Sequence, residues 1–212
     1  MKLNAESQAV RQAIKQKQLA DEQFHAHIIN TADKIDISDL MEDIRTAGMN
    51  SFLHYQRSGS GQRQCANTID AATRGMCGEA IVERWLQQHN YATKANWREW
   101  INGRANDSLP DISVVDASGM TLNIETKLTC RPSDPKTQVI VEQAIKYQKN
   151  GSYICCVFLD EGTNTGYVYC LASADDVVKA NVRELNLKNN ECFICLPANL
   201  VKLNYHYRGM DL

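Results

Sequence analysis

The run Tyr153-Ile154-Cys155-Cys156-Val157-Phe158-Leu159 is apolar at odd and even positions alike, the composition of a strand buried on both faces. Ahead of it, residues 134–149 read as a helix, with Asp134 able to cap it and Pro135 suited to its first turn. Ahead of that lie two stretches of period two, Asp111-Ile112-Ser113-Val114-Val115 and Thr121-Leu122-Asn123-Ile124-Glu125-Thr126-Lys127. The turn signal Asp116-Ala117-Ser118-Gly119 separates them, so the pair predicts a hairpin. Strand, helix and buried strand in succession are the signature of a parallel crossover. The pattern predicts an α/β chain with a mixed central sheet flanked by helices.

The remaining segments supply helices and further strands. Residues 5–30, rich in Gln, Ala, Lys and Glu, favour helix by propensity. A second helix is predicted from Ser38, with Leu40, Met41 and Ile44 as apolar positions and a kink near Gly48 before Phe52 and Leu53. Residues 54–64 have the Gly, Ser and polar character of a loop. The strongest helix covers residues 68–90, where Gly78, Ile81, Val82, Trp85 and Leu86 share one face. A strand is predicted over residues 91–100, and further strands over 167–171, 192–196 and 200–205, with a short helix around 175–185. The division expected is a helical N-terminal region and loop, residues 1–64, followed by a core with C-terminal strands, residues 65–212.

Composition is that of a folded globular chain, 43% hydrophobic and 23% charged with only 4 Pro and 11 Gly. No apolar run approaches the length of a bilayer span, and the N-terminus has no apolar signal-peptide region, so the reading is a cytoplasmic protein without a membrane partner. The 8 cysteines are scattered, most in apolar stretches, and are read as reduced core thiols. Cys192 and Cys195 form a CxxC, but no second pair or nearby His completes four zinc ligands. The net charge of −2 neither advertises nor excludes a nucleic-acid binder, because phosphate binding needs a local basic surface. No phosphate-binding P-loop, dinucleotide fingerprint or nucleophile elbow is present.

The hairpin carries the chemistry. Alternation sends Leu122 and Ile124 to one face and Asn123, Glu125 and Lys127 to the other. Asp111 starts the preceding strand, and antiparallel pairing brings it near Glu125 and Lys127. Two carboxylates on paired strand ends, with the Thr126 carbonyl as a further oxygen, suit a hard cation such as Mg²⁺. A lysine beside them can orient a water and stabilise hydroxide. The alternative is an exposed hairpin with an i, i+2 ion pair.

Pro110-Asp111, thirteen residues, then Glu125-Thr126-Lys127 resembles the PD-(D/E)xK nuclease superfamily, which includes many type II restriction endonucleases, resolvases and RecB-type exonucleases. The resemblance covers about residues 68–160. It implies a restriction endonuclease-like αβββαβ core with an N-terminal helical extension. It further implies that Asp111 and Glu125 bind Mg²⁺, with Mn²⁺ as a substitute, and that Lys127 serves the nucleophile. Members often carry a glutamate on the preceding helix. Glu79 borders the apolar face and is preferred to Glu83, which lies further toward solvent on the wheel; an exposed helix acid is the alternative. Gln143-Ala144-Ile145-Lys146-Tyr147 reads as the QxxxY of the RecB-type branch, although core packing explains Tyr147 equally well.

Double-stranded DNA is the expected partner, with a homodimer allowed. Arg131 and Lys136 follow the catalytic strand, and Arg57 and Arg63 sit in a Gly/Ser loop that could order on a groove or serve as a solvated linker. His25 and His27, at i, i+2 on a helix, point apart and make no metal site. Three functions stay open: an endonuclease such as a type II restriction enzyme, a RecB-type exonuclease or repair nuclease, and a catalytically silent DNA-binding protein on the same fold.

Overall fold

The computed structural model describes Gln12, Lys15, Gln16, Leu19, Glu22, Gln23 and Ala26 singly, then residues 28–58, 68–104, 109–115, 119–130, 138–180, 183–186 and 191–195. The described residues up to 31 are helical, as their propensity predicts. His25, His27 and the strand expected over 200–205 lie outside the described residues.

The chain is α/β. Among the described residues, one mixed sheet takes the order β1-β7-β6-β4-β3-β2. Its strands are β1 (Asp33–Asp36), β2 (Ala92–Ala95), β3 (Ile112–Val115), β4 (Thr121–Thr129), β6 (Tyr153–Asp160) and β7 (Thr165–Ser173). A smaller sheet joins β5 (Gln138–Ile140), β9 (Glu191–Cys195) and β8 (Arg183–Asn186). The helices are α1 (Met41–Ser58), entered through a 3-10 turn at Ser38–Leu40, α2 (Ile69–Gln88), α3 (Asn96–Ile101), α4 (Val141–Lys149) and α5 (Ala174–Ala180).

The central expectations hold. β3 and β4 pair antiparallel, with Ile112 opposite Ile124, and β4 and β6 pair parallel across the α4 crossover, with Lys127 opposite Cys156. Every residue of β6 from Ile154 to Leu159 is buried, because helices cover both faces of the sheet. One core gathers Ile81, Trp85, Ile112, Val114, Ile124 and Val157 beneath α2, and the other gathers Ala144, Tyr147, Ile154, Phe158 and Val177 beneath α4 and α5. α2 begins where the sequence places it, its first turn capped by the Thr68 side chain accepting from the Ala71 amide at 3.0 Å.

Other expectations are corrected. α1 runs unbroken through Gly48, which marks close packing: a Cβ there would lie 2.8 Å from the Thr73 Cα of α2. α1 also continues through residues 54–58, read as loop, because His54 and Tyr55 pack against Trp100 at ring separations of 5.2 and 6.0 Å. The strand expected over 91–100 is a short strand and then α3, since Trp97 and Trp100 are both buried at the i, i+3 spacing of a helix. The helix expected from Asp134 has its first described helical residue at Val141. Residues 138–140 instead form β5, paired with β9, and Asp134 and Pro135 lie outside the described residues. The helix expected over 175–185 ends at Ala180, and Leu185 lies in β8. No pattern in the sequence signals β1, which pairs with β7 at the edge of the main sheet.

Candidate active site

Continuing the β3–β4 register by one residue sets Asp111 opposite Glu125. Asp111 lies just before β3 begins, and its Oδ2 accepts a hydrogen bond from the Thr126 amide at 2.7 Å. That bond fixes the aspartate between Glu125 and Lys127, on the edge of β4 that β3 has left uncovered. The amide and carbonyl of one strand residue point to the same side, so the Thr126 carbonyl faces the Asp111 side as well. The Thr126 side chain turns to the other face, its Cγ2 against Gly78 of α2, and its buried Oγ1 has no hydrogen-bond partner among the described residues.

Lys127 projects toward α4. Its Nζ donates to the Tyr147 hydroxyl at 3.3 Å and lies 5.0 Å from the centre of that ring. The same hydroxyl hydrogen-bonds the Glu125 carboxylate. Tyr147 thus sits between the lysine and the glutamate, and it belongs to the site as well as to the core. Gln143, one turn earlier, is partly buried and makes no hydrogen bond to these groups among the described residues.

Glu79 is buried on α2, and its Oε2 accepts from the Trp97 amide at 2.9 Å, closing the open end of α3. The solvent position expected for Glu83 is corrected. Glu83 is 2% exposed, because α3 folds over it with the Trp97 Nε1 at 2.9 Å and the Arg98 Nε at 2.8 Å. α3 reaches Asp111 too, through the Asn96 amide on the Asp111 carbonyl at 2.8 Å.

The electrostatics follow from three acids facing one lysine, Glu79 buried and Asp111, Glu125 and Lys127 half-buried. Burial first, and then the Asp111 charge, hold the Glu79 carboxyl well above the usual range, against the pull of the Trp97 amide. Burial raises Asp111 despite Lys127 and the Thr126 amide. Glu125 is pushed up to about 7, first by burial and then by Asp111, with Lys127, Tyr147 and Lys146 opposing. Burial works to lower Lys127, but Tyr147, Asp111 and Glu125 outweigh it, so the ammonium keeps its proton more firmly than usual.

The donor set fits a divalent cation. With all acids ionised the cluster carries two uncompensated negative charges, which a divalent ion would neutralise. Among the described residues no three His, Cys, Asp or Glu side chains are grouped to hold a metal unaided. Two carboxylates and a carbonyl match the habit of Mg²⁺, which keeps several waters and takes the remainder from substrate.

Arg57 lies in the last turn of α1, and Arg63, Arg131 and Lys136 lie outside the described residues. The sequence reading missed Trp97, Arg98 and Lys146. The i, i+3 tryptophans signal a helix, but nothing in the sequence ties that helix to Glu79 and Glu83. Cys77, Cys130, Cys155, Cys156 and Cys170 form no disulfide among the described residues, and the side chains of Cys65, Cys192 and Cys195 lie outside them. Among the described residues no helix is long and apolar enough to cross a membrane. Compared with known families and with curated proteins, the chain matches no family model and no protein.

Proposed function

We propose that the chain is a divalent-metal-dependent DNA nuclease that hydrolyses phosphodiester bonds in double-stranded DNA, read first as an endonuclease of the type II restriction kind. The observation that carries the reading is the Asp111 carboxylate on the Thr126 amide at 2.7 Å, which sets Asp111 against the strand residue between Glu125 and Lys127. The run α2, β2, β3, β4, α4, β6 supports it. It reads αβββαβ, the order of the restriction endonuclease-like core, with α3 and β5 as insertions.

Asp111, Glu125 and the Thr126 carbonyl would hold Mg²⁺ or Mn²⁺, and the bound ion would stabilise charge on the phosphate and the leaving oxygen. The protein groups divide the remaining work. The Thr126 amide orients Asp111, so the carboxylate is set before substrate arrives. Lys127, firmly protonated, can hydrogen-bond the attacking water and stabilise it as it loses a proton. The Tyr147 hydroxyl spaces Lys127 from Glu125. That contact favours the second reading, an exonuclease or repair nuclease of the RecB type, in which the QxxxY tyrosine belongs to the site.

Supercoiled plasmid, linear duplex and circular single strand, each with Mg²⁺ or with chelator, test both readings. Nicked or cut circles are expected in Mg²⁺ alone, and Lys127→Ala and Glu125→Ala should abolish the cutting. Loss confined to linear ends selects the exonuclease. If neither happens, or if either variant cuts at the parental rate, the proposed site is wrong.

A further inference from the structure

A nuclease site built of three clustered acids repels the polyanion it must hold, so a fixed cation beside it has work to do. Glu83 is the starting point. Its side chain is 3% exposed, and a carboxylate so buried is costly unless it is held for a purpose. Both of its oxygens are engaged by a single nitrogen, the Arg98 Nε, at 2.8 and 2.9 Å, while the Trp97 indole donates at 2.9 Å. The Arg98 guanidinium also lies over the Trp97 ring, 4.6 Å from its centre.

An arginine serving only to neutralise a carboxylate ordinarily meets it as a two-pronged fork. Arg98 instead gives its inner nitrogen, its side chain is 45% exposed, and its two terminal nitrogens have no partner among the described residues. Glu83 holds the guanidinium from behind and Trp97 supports its face, so little side-chain freedom remains to be lost on binding. The site is adjacent in the chain, because the neighbouring Trp97 amide is the group bonded to Glu79.

We propose that Arg98 is a preset phosphate-binding side chain, its outward nitrogens taking oxygens of a DNA backbone phosphate beside the carboxylate cluster. A planar fork of donors matches a phosphate better than a point charge does. The inference rests on the nuclease reading for its ligand, and the two can fail separately.

The test is fluorescence anisotropy with a short labelled duplex in chelator, at several salt concentrations, using the parent, Arg98→Gln, Arg98→Lys and Glu83→Gln. Arg98→Gln should weaken binding about tenfold at low salt. It should also flatten the dependence of log K on log salt by about 0.9, the signature of one lost phosphate contact. Arg98→Lys, which keeps the charge but not the clamped fork, should keep the slope and bind more weakly than the parent. Glu83→Gln leaves the Trp97 hydrogen bond possible and loosens Arg98, so it should also weaken binding. If Arg98→Gln does not fold, Arg98→Lys and Glu83→Gln carry the test alone, and parental binding by both overturns the proposal. A loss of affinity in Arg98→Gln without a change of slope marks a structural role and overturns it too. A parent that binds DNA while Arg98→Gln matches it overturns Arg98 and leaves the nuclease reading standing. A parent that binds no DNA at any salt and cuts none with Mg²⁺ overturns both.

Discussion

Replacing Glu125 by Gln should stabilise the metal-free protein at alkaline pH while ending its catalysis. In the fold this carboxyl titrates at about 7 instead of 4.5, pushed up by burial and then by Asp111. The folded state therefore binds the proton more tightly than the unfolded state does. The associated stability is fully present below 4.5 and is lost as the pH rises through 7. Moving one carboxyl from 4.5 to about 7 corresponds to about 3 kcal/mol. Glutamine keeps the shape and can still accept from Tyr147, but it carries no charge to lose. At pH 8 in chelator, Glu125→Gln should melt roughly 6–12 °C above the parent, taking about 2–4 °C per kcal/mol for a chain of this size. At pH 5 the difference should largely vanish, because the folded-state Glu125 carboxyl is then protonated and as uncharged as glutamine. Adding Mg²⁺ at pH 8 should raise the parent's melting temperature and leave the variant nearly unmoved. Thermal denaturation at the two pH values, with and without metal, reads all four quantities. A difference that is the same at pH 5 and pH 8 would refute the crowded-carboxylate argument.

Asp111→Asn should stop hydrolysis yet bind duplex DNA in chelator at least as tightly as the parent, with the gain shrinking as salt rises; gel shifts at two salt concentrations check this, and much weaker binding by a folded variant would move the metal assignment elsewhere. Tyr147→Phe removes the hydroxyl shared by Lys127 and Glu125 and should cut the cleavage rate about tenfold with a melting shift of only a few degrees, measured by plasmid nicking and thermal melting. Gly48→Ala should destabilise the fold by about 1–3 kcal/mol, because its Cβ would meet the Thr73 backbone of α2; urea unfolding measures it, and a neutral result would mean the α1–α2 contact is looser than its geometry.

The sequence by itself determined the hairpin, the crossover and the shared strand face of Glu125 and Lys127. Those features follow from local rules: alternation along a strand, the burial demanded by the apolar run at Tyr153, and the crossover that a parallel neighbour requires. It also placed α2, whose apolar stripe of Gly78, Ile81, Val82, Trp85 and Leu86 repeats at helical spacing along one face. What only the tertiary structure decided comes from contacts between residues distant in the chain. The 96–101 segment is helical where β-compatible aromatics suggested a strand, because Glu79 bonds the Trp97 amide 18 positions away. Glu83 is buried rather than exposed because that same helix closes over it, which a helical wheel drawn for α2 alone has no means of showing. Tyr147 reaches Lys127 across 20 positions only because the crossover lays α4 on the lysine's face of the sheet. The Asp111 bond to Thr126 sits between the two cases: pairing brings the residues near, but which atom of which residue closes the bond is set by where β3 ends and β4 continues.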